Sequence, residues 1–364
     1  MTTATAAITD VRTELLVVPV EPRLRAYGSD VVNLVRVLVQ DADGACGTGF
    51  TYTLGAGAGV VCRMIDDLIG PAIVGGRTDE WDERRSKIAA STRRLGRSVF
   101  TPALSAVDIA VRDLRGLQTN QPLYALLGGR ARAMPIYGSG RGSNGLELDE
   151  LVEQTLGYLN DGYPAVKVRA GARSPEADLE RLRAVRAAVG DDVPLMVDCN
   201  EQLTLPDALW FGRRLTDLGF RWLEEPLIAE DIEGHAVLAA QLDVPIAVGE
   251  HLVGRYEFAH HLRTTPIGIY QPDAALTGGI GEAMRIAALA EAANRSINFH
   301  SLPELHVHLA AVCPNACYVE DFGILNAVLG EVLRPHEGSV VPPDRSGHGI
   351  VWDDDAVRRF TQPY

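Results

Sequence analysis

Three acidic residues recur at an equal interval along this chain. Asp198, Glu224 and Glu250 lie 26 residues apart, and each of them ends a short apolar run. A strand followed by a helix takes about 30 residues in a (β/α)8 barrel. The interval therefore predicts three successive parallel strands with an acid at each carboxyl end, which is the end of such barrels where active sites form.

Carboxylates that converge on one point repel one another unless a cation lies between them. Oxygen ligands suit a hard divalent cation such as Mg²⁺. We therefore expect Asp198, Glu224 and Glu250 to bind Mg²⁺. The alternative is that three unrelated acids end three strands.

The chain from Met134 onward alternates short apolar runs with amphipathic stretches that have helical periodicity. Strands that alternate with helices predict a parallel sheet, and eight strands predict a closed barrel, so the predicted fold class is α/β. The eight runs are Met134–Ser139, Ala165–Arg169, Leu195–Asp198, Trp222–Glu224, Ile246–Glu250, Gly268–Asp273, Ile297–His300 and Cys317–Glu320.

The first part of the chain has a different pattern. Strand-like segments near 11–20, 31–40 and 47–53 precede helical patterns at about 58–69, 79–94 and 102–117. After about residue 325 several prolines mark irregular chain, which we expect to return to the N-terminal segment. The predicted division is an α+β domain over 1–129, a barrel over 130–325 and a C-terminal tail over 326–364.

The net charge of −14 argues against a nucleic-acid partner or an anionic membrane surface. No apolar stretch is long enough to span a membrane, and no signal peptide is apparent. The five cysteines are scattered and read as reduced thiols, so we expect a cytoplasmic protein.

Further charged residues fall at the predicted strand ends. Lys167 and Arg169 are two apart on a strand and therefore point to the same side, into the barrel. Asp273 and His300 end adjacent strands, so the carboxylate could orient the imidazole as a general base, although a structural histidine is the alternative. Glu320 ends the eighth strand in an anionic mouth, where its carboxyl group is expected to stay protonated.

Four other residues complete this set. Asn200 and Glu225 follow two of the expected ligands and are candidates for groups that orient them. His306 and His308 do not share a face of a helix and are expected at the surface.

The sequence resembles the mandelate racemase branch of the enolase superfamily over nearly its whole length. The resemblance implies an α+β capping domain, built from the N-terminal segment and the C-terminal tail, on a modified (β/α)7β TIM barrel. The matching stretches are Ser105–Leu114, Gln121–Gly129, Val197–Asn200, Trp222–Pro226 and Val248–Glu250.

The same resemblance implies roles for individual residues. Asp198, Glu224 and Glu250 match the Mg²⁺ ligands, and Asp273 with His300 matches the acid/base dyad of the branch. Glu320 matches the group that hydrogen-bonds the substrate carboxylate, and Lys167 matches the first cation of the Lys-x-Lys motif.

Arg169 replaces the second lysine of that motif. Because a guanidinium stays protonated, this replacement disfavours racemisation by two opposed bases.

The expected chemistry is removal of the proton α to a carboxylate, followed by loss of water from an acid sugar, an aldonate or aldarate, to give a 2-keto-3-deoxy acid. The alternatives are a racemase or epimerase of an α-hydroxy acid, a sugar lactone cycloisomerase, and a barrel that binds metal and acid without turnover.

Substrate choice is the least predictable part of the site. Loops near 20–30 and 50–60 are expected to cover the barrel mouth in this family. Arg25, Tyr27, Tyr52, Ser139 and Arg141 are candidate contacts to the distal end of a small carboxylate substrate. The resemblance also implies a homo-oligomer, either a dimer or an octamer.

Overall fold

The computed structural model describes residues 5–20, 29–140 and 142–364. Arg25, Tyr27 and Arg141, which the sequence suggests as substrate contacts, lie outside the described residues. Within the part of the chain that the structure describes, no helix combines the length and apolar character needed to cross a lipid bilayer.

The N-terminal segment folds into an antiparallel sheet with helices packed on it, referred to below as the cap. Strand β1 (Ile8–Pro19) pairs with β2 (Val31–Asp41), which pairs with β3 (Cys46–Leu54). The first predicted helix continues beyond 69, because a π-helical turn at Ile65–Ile69 joins its two α-helical parts. The helices are α1 (Ala58–Met64), α2 (Gly70–Ile73), α3 (Trp81–Ser91), α4 (Phe100–Thr119) and α5 (Leu123–Leu126).

Helix α4 lies between the cap sheet and the barrel. A Cβ atom at Gly49 would lie 2.1 Å from Ala106 O, so only glycine permits this approach of β3 to the helix. On its other side, the Ser105 hydroxyl accepts a hydrogen bond from Gly278 N at 2.9 Å, and Asp108 accepts one from Gly281 N at 3.2 Å. The helix therefore fixes the height of β3 above the barrel.

The described residues from Met134 onward contain the eight parallel strands of the predicted barrel, and seven helices connect them. The strands are β4 (Met134–Ser139), β5 (Ala165–Arg169), β6 (Leu195–Asp198), β7 (Leu223–Glu224), β8 (Ile246–Val248), β9 (Ile269–Tyr270), β10 (Ser296–Ile297) and β11 (Val319–Asp321). The helices are α6 (Leu148–Asn160), α7 (Pro175–Val189), α8 (Leu205–Asp217), α9 (Ile232–Gln241), α10 (Gly254–Thr264), α11 (Ile280–Ala292) and α12 (Pro303–Val312).

The strands pair in chain order from β4 to β10, and β11 returns to pair with β4. A bridge between Ile297 and Ala316 links β10 to the chain entering β11 and closes the ring. The predicted modified TIM barrel with an α+β cap is therefore confirmed. Several strands end earlier than predicted: Glu250, Asp273 and His300 lie two or three residues beyond β8, β9 and β10.

Local sequence signals explain where several barrel helices start. The Ser174 hydroxyl accepts a hydrogen bond from Ala177 N at 3.3 Å, and Pro175 occupies the first position of α7. The Asp231 carboxylate caps α9 in the same way, accepting from Gly234 N at 2.9 Å. Such caps satisfy amides that have no partner inside the helix. They therefore set the length of the loops that leave the carboxyl ends of the strands.

The C-terminal tail runs back along the barrel to the cap. Strand β12 (Ser339–Val340) pairs antiparallel with β4, and β13 (Thr361–Gln362), after helix α13 (Asp354–Phe360), pairs antiparallel with β1. Asp113 of α4 accepts a hydrogen bond from His348 N at 2.8 Å. The boundaries at 129 and 325 stay a prediction.

An apolar layer fills the barrel below its carboxyl mouth. Neighbouring strands each contribute one inward-facing residue to a separate cluster. In this cluster the ring centroids of Tyr137 and Trp222 lie 5.5 Å apart, and those of Tyr137 and Tyr318 lie 6.0 Å apart. The members are Tyr137, Ala165, Met196, Trp222 and Ala247, with Ile269 and Tyr318 packed against them. This layer forms a floor that separates the mouth from the other end of the barrel.

Candidate active site

Polar residues occupy the layer directly above this floor. Side chains two apart on a strand point to the same side, so the residue two positions after each floor residue also faces the barrel interior. Applied to the seven floor residues, this rule gives six polar residues, Ser139, Lys167, Asp198, Glu224, Gln271 and Glu320, and one glycine, Gly249. All six are buried, so this layer is a polar one enclosed by the barrel.

Asp198, Glu224 and Glu250 converge as a buried group, referred to below as the inner group. One oxygen from each lies within 4.8 Å of the others. Asp198 and Glu224 are direct neighbours in the pairing of β6 with β7, whereas Glu224 is paired with Ala247, three residues before Glu250. Gly249, with a φ of 147°, makes the difference possible, because a Cβ there would lie 2.7 Å from Gln271 N.

Two residues that the sequence analysis did not select hold Glu224 in place. Trp222 Nε1 and Gln271 Nε2 each donate to Glu224 Oε2 at 2.8 Å. Burial raises the pKa of Glu224 to about 7, with the carboxylates of Asp198 and Glu320 adding to the effect and Lys167 opposing it. Both donors precede a predicted site residue by two positions, and that spacing is the signal that could have identified them.

Asp198 is oriented by the loop that follows it. Asn200, whose φ is 43°, donates from its backbone N to Asp198 Oδ1 at 2.8 Å and from Nδ2 to Oδ2 at 3.0 Å. Arg169 donates from Nη1 to Asn200 Oδ1, and the same nitrogen lies 3.5 Å from Asp198 Oδ2. The guanidinium is thus held against the first member of the inner group.

Lys167 is fully buried among carboxylates. Its Nζ contacts Glu224 Oε1 and lies 2.7 Å from Glu320 Oε1 and 3.7 Å from Asp198 Oδ2. Burial alone would lower the pKa of Lys167, but Glu224 and Glu320 outweigh it and raise the pKa well above its usual value. This lysine is therefore a fixed positive charge, unsuited to act as a base.

The expectation that Glu320 stays protonated is wrong in this structure. Burial favours the neutral acid, but Lys167 and then His300 outweigh it and lower the pKa of Glu320 to about 2. Ser301 N also donates to Glu320 Oε2 at 2.9 Å, which favours the carboxylate. The nearby acids alone suggest a protonated Glu320, but the ammonium of Lys167 lies between these acids and reverses the effect.

Asp273 and His300 lie together on the other side of the inner group. His300 Nδ1 is 3.0 Å from Asp273 Oδ2, and His300 Nε2 is 3.2 Å from Glu250 Oε2. Burial alone would lower the pKa of His300, but Glu250 and the hydrogen bond with Asp273 raise it to about 10. A cation at the inner group would compete with the imidazolium for Glu250 and so favour the neutral ring.

The cap contributes one residue to this pair. Tyr52 of β3 donates its hydroxyl to Asp273 Oδ2 at 2.7 Å, and the hydroxyl lies 3.4 Å from His300 Nδ1. The sequence suggests Tyr52 as a contact to the distal end of the substrate, whereas the structure places it beside the dyad. Ser139 is buried in the polar layer, beside Lys167 in the pairing of β4 with β5, and its hydroxyl has no hydrogen-bond partner among the described residues.

The surface positions expected for His306 and His308 are wrong, because both side chains are fully buried. The tail covers α12, and His308 Nε2 lies 3.0 Å from His348 O. His306 Nε2 accepts from Ala274 N at 3.1 Å, while its Nδ1 lies 2.7 Å from Ser301 O. His306 therefore ties together the loops that carry Asp273 and His300.

A second group of ionisable side chains lies beside the inner group. Glu201, Glu225 and His251, referred to below as the outer group, also bring three potential ligand atoms within 4.8 Å of one another. His251 Nδ1 is 3.0 Å from Glu225 Oε1 and 3.4 Å from Glu201 Oε1. Burial and the charge of Glu250 raise the pKa of Glu225 to about 8, against the effect of His251.

The fold and the site together define a class of enzyme, a capped α/β barrel with buried acids converging at its carboxyl mouth. Family models match both parts of the chain: the mandelate racemase / muconate lactonizing enzyme N-terminal domain over residues 4–128, and the enolase C-terminal domain-like model over 150–356. The chain belongs to the mandelate racemase branch of the enolase superfamily.

Its relatives include two kinds of enzyme. The chain is 34% identical to the 3,6-anhydro-alpha-L-galactonate cycloisomerase of Streptomyces coelicolor, over 96% of this chain and 98% of that protein. It is 33% identical to the L-talarate/galactarate dehydratase of Salmonella typhimurium, over 91% and 83%. Both names refer to the chemistry of acid sugars.

Solved structures agree closely with the fold. A racemase from Streptomyces coelicolor with bound magnesium superposes with a TM-score of 0.93 at 32% identity, covering 98% of this chain and all of that one. A variant of an L-talarate/galactarate dehydratase liganded with Mg and L-glucarate gives a TM-score of 0.92 at 30% identity, covering 99% and 93%.

Proposed function

We propose that this protein removes the proton α to the carboxylate of an acid sugar and then eliminates water, with Mg²⁺ held by Asp198, Glu224 and Glu250. The three side chains fit such an ion: they are carboxylates, they are buried, and their oxygens lie within 4.8 Å of one another. Bound there, Mg²⁺ would stabilise the negative charge that develops on the substrate carboxylate.

His300 is the proposed base. Asp273 orients the ring through Nδ1, so the lone pair of the neutral imidazole is on Nε2, the atom that lies on the side of the inner group. His300 would take the α-proton at Nε2. In a syn elimination the same nitrogen would then return that proton to the departing β-hydroxyl group, so that one residue serves both steps.

Lys167 and Glu320 are proposed to position the substrate carboxylate. Glu320 is ionised and lies 2.7 Å from Lys167 Nζ, so it orients the lysine rather than donating a hydrogen bond itself. The ammonium is thereby held beside two members of the inner group, Glu224 and Asp198. Its positive charge would attract the substrate carboxylate more strongly as negative charge builds up there, which favours the transition state.

Arg169 is the observation that favours elimination over racemisation. In strand order the inner group is flanked by Arg169 on β5 and by His300 after β10, the two sides from which opposed bases would act. A guanidinium stays protonated, and this one is held by Asn200 and Asp198. The site therefore has one competent base and one fixed cation.

The test is a screen of mono- and diacid sugars with Mg²⁺, read by a 2-keto-acid assay and by mass spectrometry. Dehydration predicts a 2-keto-3-deoxy product that has lost one water. The absence of any such product across the aldonates and aldarates would contradict the proposed reaction.

Cycloisomerisation of a sugar lactone or anhydro acid is the second candidate. It is favoured by the 34% identity, over nearly full length, to a cycloisomerase. In this site it would use the same proposed base, His300. The two reactions differ in mass balance, because an isomerase converts its substrate without loss of water. A cytoplasmic location and a homo-oligomeric state stay predictions.

A further inference from the structure

A cavity of about 560 Å³ lies at the junction of the cap with the barrel, outside the barrel mouth. Its walls come from the end of α3, the turn at 92–97, the start of α4 and the start of α10. None of the residues assigned to the proposed active site lines it. A role for this cavity is therefore separate from the proposed reaction.

The lining of this cavity is strongly positive for a protein whose net charge is −14. Four arginines line it, Arg85, Arg93, Arg97 and Arg255, whereas Glu282 is the one acid among its lining residues. An acidic chain that gathers four guanidinium groups around one space creates a local field opposite to its overall charge. Such a field attracts anions.

The single acid is already shared among several donors. Glu282 lies 3.1 Å from Arg255 Nη1 and 3.4 Å from Arg85 Nη2, and it also accepts from Arg255 N at 3.0 Å. Arg93 and Arg97, by contrast, have no side-chain hydrogen bond or ion pair with any described residue. The positive charge that remains uncompensated is therefore concentrated on the wall at 93–97.

The same wall carries the beginning of a long helix. Helix α4 has 20 residues, no side chain caps its start at Phe100, and its first turn contains no acidic residue. The start of α10 across the cavity differs, because Glu257 accepts from Val253 N at 2.7 Å. The first amides of α4 donate to backbone carbonyls (Thr101 N to Arg97 O at 2.9 Å and Ala103 N to Val99 O at 3.3 Å), and Pro102 has none, so the helix contributes the positive end of its dipole, which no acidic residue in the first turn offsets.

We propose that this cavity binds a small oxyanion that carries at least two negative charges, with Arg93 and Arg97 as its main contacts at the start of α4. Guanidinium groups pair with phosphate and carboxylate groups through two parallel hydrogen bonds. The volume lies within the range of metabolite pockets, so the ligand is a phosphate-bearing or dicarboxylic metabolite rather than a simple halide.

Isothermal titration calorimetry of the full chain with Mg²⁺ present tests this site, using inorganic phosphate and tartrate as separate probes. We compare wild type with the double variant Arg93→Gln/Arg97→Gln. Arg94→Gln serves as the matched control, because Arg94 belongs to the same exposed turn but does not line the cavity. Melting curves and turnover of the double variant, expected to be unchanged, show that it is folded.

We expect saturable binding of at least one probe, with a dissociation constant raised about tenfold or more in the double variant and little changed in Arg94→Gln. The probe with the lower dissociation constant, inorganic phosphate or tartrate, identifies the ligand as a phosphate or a dicarboxylate. Binding at the barrel mouth would survive in the double variant. The proposal is overturned if the double variant gives the same heat of binding as the wild type. It is also overturned if Arg94→Gln loses as much affinity as the double variant, or if neither probe shows saturable binding.

Discussion

The inner and outer groups show how similar side chains a few ångströms apart acquire different electrostatic character. Each brings three ligand atoms within 4.8 Å. In the outer group one member is a histidine, whose Nδ1 lies between the carboxylates of Glu225 and Glu201. The inner group consists of three carboxylates, and its neighbouring cations approach from outside it. The outer group thus contains its own cation, whereas the inner group requires one.

The histidines beside the two groups differ in the same way. His300 uses one ring nitrogen for Asp273 and presents the other toward Glu250 and the mouth. His251 uses a single nitrogen, Nδ1, for both of its carboxylates. We infer that His300 is arranged for proton transfer, whereas His251 is arranged to hold charge. Five substitution experiments, four on metal binding and catalysis and one on stability, can break or sharpen this comparison.

The largest effect is expected for Glu224→Gln. The change removes one charged ligand while keeping the hydrogen-bond donors Trp222 and Gln271 beside an amide of similar size. Loss of the metal's charge stabilisation is expected to lower kcat by about 10³-fold or more, and Mg²⁺ affinity should fall with it. Steady-state kinetics and metal titration measure the two quantities.

Glu201→Gln is the matched control in the outer group. It also replaces a glutamate by its amide, but it leaves all three inner carboxylates in place, so Mg²⁺ affinity should change by less than about tenfold. Equal losses in the two variants would remove the distinction between the groups.

His300→Asn should abolish proton exchange while leaving substrate binding. Removal of a general base typically costs about 10² to 10⁴-fold in rate. The measurement is incorporation of solvent deuterium at the α-carbon of recovered substrate, beside a binding assay of the same variant. Persistent exchange in His300→Asn would show that another residue is the base.

His251→Asn is expected to have a smaller and different effect. It releases Glu225, which is close enough to Glu250 for the charges to interact, so Mg²⁺ affinity should fall by about tenfold through the second layer of contacts. Proton exchange at saturating Mg²⁺ should continue near the wild-type rate. If exchange is lost at saturating Mg²⁺, His251 takes part in proton transfer and the comparison fails.

The sequence predicts some of the features behind these expectations and does not predict others. The 26-residue spacing of the acids placed the strands well, because each strand and helix unit must span the same barrel wall. The alternation of side chains also placed Lys167 and Arg169 inside. Contacts between separate strands were missed: Gln271 follows β9 but donates to Glu224 of β7, and its two-residue spacing from Asp273 shows that it faces the barrel interior without showing which residue it meets.

Errors in charge state have the same origin. Glu320 was expected to be protonated because nearby acids could be counted from strand ends, whereas the contact of 2.7 Å with Lys167 depends on how β5, β4 and β11 lie side by side. His306 and His308 were expected at the surface because a helix pattern does not show that the C-terminal tail covers it. Burial by remote segments is the information that the sequence lacks.

The smallest effect concerns the pH dependence of stability, and it bears on whether the outer group really contains its own cation. Burial would lower the pKa of His251, but hydrogen bonds to Glu201 and Glu225 outweigh it and raise the pKa to about 12. A raised folded-state pKa stabilises the protein fully below the unfolded value of about 6.5, and this contribution is lost as pH rises toward the folded value. The side chain is 38% exposed, so solvent screens the pair and the contribution is about 1 kcal/mol.

Urea unfolding of wild type and His251→Gln between pH 6 and pH 10, without Mg²⁺, measures this contribution. The wild type should be the more stable protein at pH 6, and its advantage should shrink as pH rises because the unfolded histidine no longer binds a proton above its own pKa. A constant difference would mean that folding leaves the pKa of His251 unchanged, and a difference that grows with pH would mean that the ring is neutral in the folded protein. Both groups would then lack a resident cation, and the contrast between them would have to be explained by shape rather than by charge.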